Sequence, residues 1–550
     1  VAFVSDQAGD DDIYLLSLET SAWTNLTRPT GSGEDRDPAF TPDGQTLTFR
    51  SNAGGSWAFY QIDLVTGVRT LLKDGTEQST AYKGGLSWSE RELEDASRSN
   101  GPNEYAYEAY RDGNLDLYLC TQTGVHLPLA PHPAADYGPA WRPGAAQIAF
   151  ASHRAGKPDV YLVDADGSDL VRLTRDSGDH ETPAWHPGGK RLAYVRWQGG
   201  DADLWELDME SGAERRLTTD PYPDRWPSYA PNGDLFWTRY APGEPFEAHD
   251  PYRPGRWQLW TRSGDGPEHL VELPVTDLDV RSPVAGYVVW PEVAWAVLPT
   301  PAPTSNPTSD TLADLVEMDV QVAGKHPRLH ADLAASYGAW REEVLVQSGY
   351  DVLGQVSDMY RPLGYSNHHY GHLSWHRTGR AVDLSFEWHD PPDGPNLLLV
   401  VREDLGPQTY WRLYLYCRDQ DGTMGEPLRV APWVFWFSLD RAQDPAAYAA
   451  GGKPGSIPAG YYVDLTQLAA RHGWQRIAAY QEGDYDWRWD SLGREFWHYQ
   501  RTDGLTWWQA MSQIYPLETL HRYYDWTICV EELGLDPAWV EAKGVPTPRP

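Results

Sequence analysis

At 550 residues the chain is longer than one hydrophobic core ordinarily serves, so two or more domains are expected. Its formal net charge of -34 argues against nucleic acid, which is held by clustered Lys and Arg, and gives no attraction to an anionic membrane. A hydrophobic fraction of 41% with 27 Trp and 32 Tyr describes packed, folded material rather than disorder.

The sequence begins inside a repeat. An apolar strand, a glycine turn and then Asp-aliphatic-aromatic recur as Val1–Val4 with Gly9 and Asp12-Ile13-Tyr14, and as Tyr105–Tyr107 with Gly113 and Asp116-Leu117-Tyr118. The same phrase returns at Ile148–Phe150 with Gly156 and Asp159, and at Leu192–Tyr194 with Gly200 and Asp203. Degenerate copies carry Gly55 and Gly255. A second phrase joins the copies, reading Pro38-Ala39-Phe40, Pro139-Ala140-Trp141, Pro183-Ala184-Trp185 and Pro227-Ser228-Tyr229, with shorter echoes at Gly85–Trp88 and Arg281–Pro283.

Together these phrases give six units, and a period of about 40 to 45 residues suits four-stranded blades around an axis. They resemble the TolB-type repeat, which implies an all-β six-bladed propeller over residues 1–298. Val1 falls on the second strand of a blade, so Asp279–Trp290 is expected to close the ring beside it. The repeated Asp12, Asp116, Asp159 and Asp203 read as caps of their own turns through backbone N–H groups rather than as calcium ligands. A propeller presents loops for binding or scaffolding a protein or glycan, and Pro242–Pro254 is the first candidate.

Residues 299–312 are rich in Pro, Thr and Ser and read as a semi-extended linker. Residues 313–550 change period: an amphipathic helix is expected over 327–348, stopped by Gly349, then a strand over 353–361 that ends on Arg361. Strands follow at 397–402, 410–417 and 434–437, a helix at 464–473 and a closing helix at 516–534. The mixture without regular alternation predicts an α+β domain. Cys120, Cys417 and Cys529 are scattered without zinc or disulfide spacing and read as buried thiols.

Ser374-Trp375-His376-Arg377-Thr378-Gly379-Arg380-Ala381-Val382-Asp383 and Glu495-Phe496-Trp497-His498 carry the chemistry. Two histidines and a carboxylate make a three-ligand zinc set that leaves a position open, and a nearby glutamate can take a proton. The pattern Ser-x-His-x-x-Gly-x-Ala-x-Asp followed by Glu-x-Trp-His resembles the D-alanyl-D-alanine peptidase family of zinc enzymes, the VanX/VanY type, whose fold is that of the hedgehog domain. The resemblance implies a Zn2+ cofactor held by His376, Asp383 and His498, with Glu495 as catalytic base. It also implies that Arg361 stabilises the transition state on the carbonyl oxygen and that Ser374 lies beside the substrate.

The expected activity is hydrolysis of peptidoglycan stem peptides, with the propeller localising the enzyme. The alternative is a catalytically silent cell-surface binding or scaffold protein that keeps the peptidase fold. An insertion over about 396–456 is expected to add a lobe near the cleft. His368, His369 and His372 read as surface or supporting residues, and Trp487, Trp489, Trp497, Trp507 and Trp508 mostly as core. No run of about 18 apolar residues exists, so no transmembrane segment is expected. The opening at Val1 leaves residues upstream unaccounted for, a signal sequence among them, and the setting is expected to be extracytoplasmic (secreted, periplasmic or cell-surface).

Overall fold

The computed structural model describes residues 1–28, 33–72, 83–89, 104–199, 201–242, 255–273, 278–287, 315–323, 326–363, 372–481 and 486–548. The Pro242–Pro254 loop beyond residue 242, the 299–312 linker, and His368 and His369 lie outside them.

The repeat array folds into six four-stranded antiparallel sheets, each one blade. Five run in simple sequence order, for example Asp136–Trp141, Gln147–Ser152, Asp159–Asp164 and Val171–Arg172. The first blade is completed from far along the chain: Arg281–Val284 pairs antiparallel with Ala2–Ser5, ahead of Asp12–Leu16 and Trp23–Asn25. The expected closure therefore occurs, through four residues of the 279–290 stretch.

The proline phrase has a backbone meaning. The residue just before it takes a left-handed conformation in every blade: Asp37, Gly85, Gly138, Thr182, Trp226 and Ser282, with φ between 47° and 63°. Register shifts between the first two strands of a blade fall at these points, as between Arg36 and Ala39 and between Glu181 and Ala184. Each blade thus carries a bulge on its first strand, the device that bends a strand and sharpens its twist.

The repeated aspartates do not cap their own turns, which corrects the sequence reading. Asp12 accepts from Asn25 Nδ2 at 2.7 Å and Thr27 Oγ1 at 3.0 Å. Asp159 is ringed by Lys157 at 2.7 Å, Arg172 at 2.6 Å and His180 at 3.1 Å, and Asp203 pairs with Arg216 at 2.6 Å. Asn25, Thr27, Arg172 and Arg216 belong to a third repeated phrase, Asn25-Leu26-Thr27, Arg172-Leu173-Thr174 and Arg216-Leu217-Thr218, whose threonine hydroxyls accept from Ile13, Val160 and Leu204 N–H at 3.0 Å each. Cationic neighbours leave Asp159 no role as a calcium ligand.

In the second half, the helix spans Ala331–Ser348 and is preceded by a short strand, Arg328–His330, where helix had been expected. It buries Leu333, Tyr337, Trp340 and Val344, and Gly349 ends it in a left-handed conformation at φ 78°. The expected 353–361 strand is shorter: a 3-10 turn at Val352–Gly354 leads into Gln355–Asp358, so Arg361 lies three residues past the strand. A five-stranded sheet follows the order Gln321–Val322, Gln355–Asp358, Ala381–Leu384, His498–Gln500, Gln475–Arg476. The closing helix is interrupted: Leu517–Tyr524 ends at Asp525, and a π-helical turn, Ile528–Glu532, replaces its continuation. All three cysteines are buried and none forms a disulfide among the described residues.

The expected insertion is built around a long hairpin, Leu398–Leu405 with Gln408–Tyr416, in one sheet with Tyr461–Asp464 and Glu426–Pro427. It does lean toward the cleft, through Phe435 stacked on Phe496 at 6.0 Å. The same sheet, with the Leu465–Arg471 helix that follows it, also meets the propeller, which sequence reasoning did not foresee. Arg471 pairs with Glu34 and lies 3.4 Å from Asp11; Arg36 and Arg50 both reach Glu426; Arg225 lies 3.7 Å from Glu403. Tyr110 and Tyr461 meet edge-to-face at 5.0 Å, and Trp57 is buried beneath the Arg50 guanidinium at 4.3 Å. The two halves are thus joined by buried and half-buried ion pairs.

Candidate metal centre

The sheet assembles the site. Asp383 sits in Ala381–Leu384, cross-strand from His498 on one side and from Asp358 on the other. His376 arrives from a 3-10 turn, Trp375–Thr378, capped by Ser374, whose Oγ accepts from His376 N at 3.3 Å. Gly379 closes that turn at φ 67°, and a Cβ there would come within 2.6 Å of Leu315 and 2.9 Å of His330 N. The glycine of the motif is required both by its dihedral and by this close approach.

His376 Nε2, His498 Nδ1 and Asp383 Oδ1 face one another, with separations of 3.1 Å (His376 to Asp383), 2.8 Å (His498 to Asp383) and 3.2 Å between the two nitrogens. All three side chains are buried. The outward nitrogens are both engaged: His376 Nδ1 faces the Met359 carbonyl and His498 Nε2 lies 3.2 Å from Gln500 Oε1. In the tautomers that carry the ring protons on the outer side, against these acceptors, both lone pairs turn inward. In that state the three donors could hold a cation between them, and an N2O set of this kind is one that zinc takes.

Burial would raise the Asp383 carboxyl, but the charges and hydrogen bonds of His376 and His498 hold it well below the usual carboxylate range. Burial pushes His376 down despite Asp383, whereas Asp383 outweighs burial at His498 and raises it.

Arg361 reaches the same point although it lies outside any strand. Its Nε donates to Asp358 Oδ2 at 2.7 Å, and its terminal nitrogens lie 3.5 Å from Asp383 Oδ2 and from Ser374 Oγ. Glu495 follows a 3-10 turn, Leu492–Arg494, in a left-handed conformation at φ 55°. Burial pushes its carboxyl up to about 7, with His498 and Arg361 opposing and Asp383 adding to the rise. A carboxyl poised near neutrality suits proton transfer in both directions.

The site therefore links five of the six residues singled out from sequence by direct contacts, and Glu495 joins them through its electrostatic coupling to His498, Asp383 and Arg361. It also contains three groups that reading missed: Asp358, the Met359 carbonyl and Gln500. Gln500 stands two positions from His498 on one strand, and so on the same face, a spacing that could have flagged it. His372 is half-buried at the edge of the motif. Trp487, Trp497, Trp507 and Trp508 are core, as expected, while Trp489 is 53% exposed.

Residues 96–245 match the family model described as the TolB beta propeller domain, in agreement with the six four-stranded sheets of the N-terminal half. A protein TolB homolog from Chlorobium luteolum is 26% identical over 165 residues, 30% of this chain and 34% of that protein. This chain thus spans about a third of that curated relative. Among solved structures, TolB from Acinetobacter baumannii is 20% identical with a TM-score of 0.41, covering 52% of this chain and 66% of that one. Oligogalacturonate lyase from Vibrio parahaemolyticus is 15% identical with a TM-score of 0.34, covering 49% and 73%.

Proposed function

We propose that the chain is a zinc-dependent peptidase acting on peptidoglycan stem peptides of the D-Ala-D-Ala type, with the TolB-type propeller as its binding or localisation module. The observation that carries this reading is the inward-facing donor set of His376, Asp383 and His498, with both outer imidazole nitrogens engaged.

A zinc ion in such a set supplies Lewis acidity and a nucleophile near neutral pH. The chain's own residues do the rest. Glu495 takes the proton of the attacking water and delivers it to the leaving amine, a role matched to a carboxyl near 7. Arg361 offers N–H donors to the oxyanion that forms on the scissile carbonyl, and Asp358 holds the guanidinium in position. Ser374 fixes the turn bearing His376 and presents its hydroxyl next to Arg361. The bond C–N breaks as C–O forms, so one water is consumed and a carboxylate and an amine are released.

The second reading, a binding or scaffold protein that keeps the fold without turnover, draws on the propeller itself, an architecture suited to presenting loops. Replacing Glu495 by Gln separates the two. The peptidase reading expects hydrolysis of an acyl-D-Ala-D-Ala peptide to fall by about 10²- to 10⁴-fold with zinc retained. Unchanged turnover in the folded variant would remove Glu495 from the mechanism, and its absence in the wild type would favour the scaffold reading.

A further inference from the structure

Arg494, the residue before Glu495, is 7% exposed, and its Nε is buried without a hydrogen-bond partner. The Nε of Arg380 and of Arg471 is likewise buried without a partner, but both reach a carboxylate through a terminal nitrogen, Arg380 at Asp503 and Arg471 at Glu34. Among the described residues, no carboxylate lies within ion-pair distance of Arg494. Its guanidinium instead rests over two phenylalanine rings, 4.6 Å from Phe435 and 4.5 Å from Phe437. Burial pushes it down to about 10, with the Asp490 charge opposing, which still leaves it charged at neutral pH.

A buried cation without its counter-charge is costly, and ring faces offset only part of that cost. Arg494 also stands four residues before His498 in the chain. Phe435 stacks on Phe437 at 5.8 Å and on Phe496 at 6.0 Å, and Phe496 meets Phe386 at 6.3 Å. Phe386 stands three residues after Asp383 and leans on Trp497 at 4.2 Å. One aromatic wall therefore runs from Arg494 to the strands that carry the metal ligands, with Phe437 at 55% and Phe386 at 51% exposure open to a ligand. A planar guanidinium at the end of an apolar wall fits a terminal carboxylate, bound through paired N–H donors.

We propose that Arg494, on the shelf of Phe435 and Phe437, is a carboxylate-binding subsite that takes the free C-terminus of the peptide. Resting on the peptidase reading, this makes the site exo-acting: it recognises a chain end, and an internal peptide segment brings no charge to Arg494. The Phe435 and Phe437 shelf comes from the insertion, which thereby contributes to specificity.

The test is calorimetric binding to the full-length Glu495→Gln protein, loaded with zinc, using acetyl-D-Ala-D-Ala and its C-terminal amide as probes. The acid is expected to bind at least about tenfold more tightly than the amide. Adding Arg494→Met is expected to abolish that gap, while Arg494→Lys keeps part of it; thermal melting and circular dichroism confirm the fold of each. Equal binding of acid and amide, no measurable binding of the acid, or a gap that survives Arg494→Met would each overturn the subsite. Because binding is read without turnover, an acid–amide gap in a protein whose wild type hydrolyses nothing would sink the peptidase reading and leave the subsite standing.

Discussion

Arg471 is the most consequential side chain at the junction of the two halves. It is 1% exposed, holds both oxygens of Glu34 (Nη2 to Oε2 at 2.5 Å), and reaches Glu343 at 3.0 Å and Asp11 at 3.4 Å. Replacing it by Met keeps most of the apolar stem and removes the charge. Asp11 retains Arg36 at 2.5 Å and Arg281 at 2.7 Å, but Glu34 keeps only Arg36 at 3.2 Å and one backbone N–H at 3.3 Å. Breaking one partner of a buried pair costs about 3–5 kcal/mol, so Arg471→Met is expected to lose about that much in the transition that separates the halves.

The cost has a pH signature. Glu34 is already raised by burial, against the pull of Arg471. Without that arginine its folded pKa rises further above the unfolded value, so the loss is full in alkaline solution and shrinks as pH falls and Glu34 takes up a proton. Urea unfolding followed by Trp fluorescence at pH 5 and pH 8 reads both effects, the first transition being the relevant one in a chain of more than one domain. Adding Glu34→Gln to Arg471→Met is expected to recover at least about 1 kcal/mol at pH 8. A loss under about 0.5 kcal/mol, or no recovery in the double variant, would refute the view that buried charges hold the propeller to the second domain.

Two further outcomes follow from named contacts. Burial raises Asp12 to about 7, so its folded pKa exceeds the unfolded value of about 3.9 and native stability falls as pH rises between the two. Asp12→Asn is expected to flatten the urea midpoint over that window, and an unchanged slope would contradict it. Gln500→Ala, by freeing the outer nitrogen of His498, is expected to weaken zinc binding by about 10- to 100-fold in chelator competition, with Gln500→Glu near wild type; equal affinity in all three would deny the residue its orienting role.

What could be read from the sequence was what repeats or clusters locally. Six copies of two phrases carried the propeller, including its closure by Arg281–Val284. His376 and Asp383 share one turn and strand, and Glu495 and His498 another, so their spacing was visible before their contact was. Asp358 was invisible because a lone carboxylate three residues from an arginine has no distinctive pattern. The junction was hidden for a related reason: Arg471 and Glu34 are 437 positions apart, and nothing in either neighbourhood announces the other. The split of the last helix at Asp525 had no Pro or Gly to mark it.

The central claim is that His376, Asp383 and His498 hold a catalytic zinc ion. The most direct measurement couples metal analysis of the purified full chain to mass spectrometry of digested D-Ala-D-Ala-terminated muropeptides, before and after chelation. The account predicts about one zinc per chain, hydrolysis lost with the metal and restored by zinc, and both absent in His376→Ala. A chain that binds no zinc, or that cleaves as well after the metal is stripped, would contradict it.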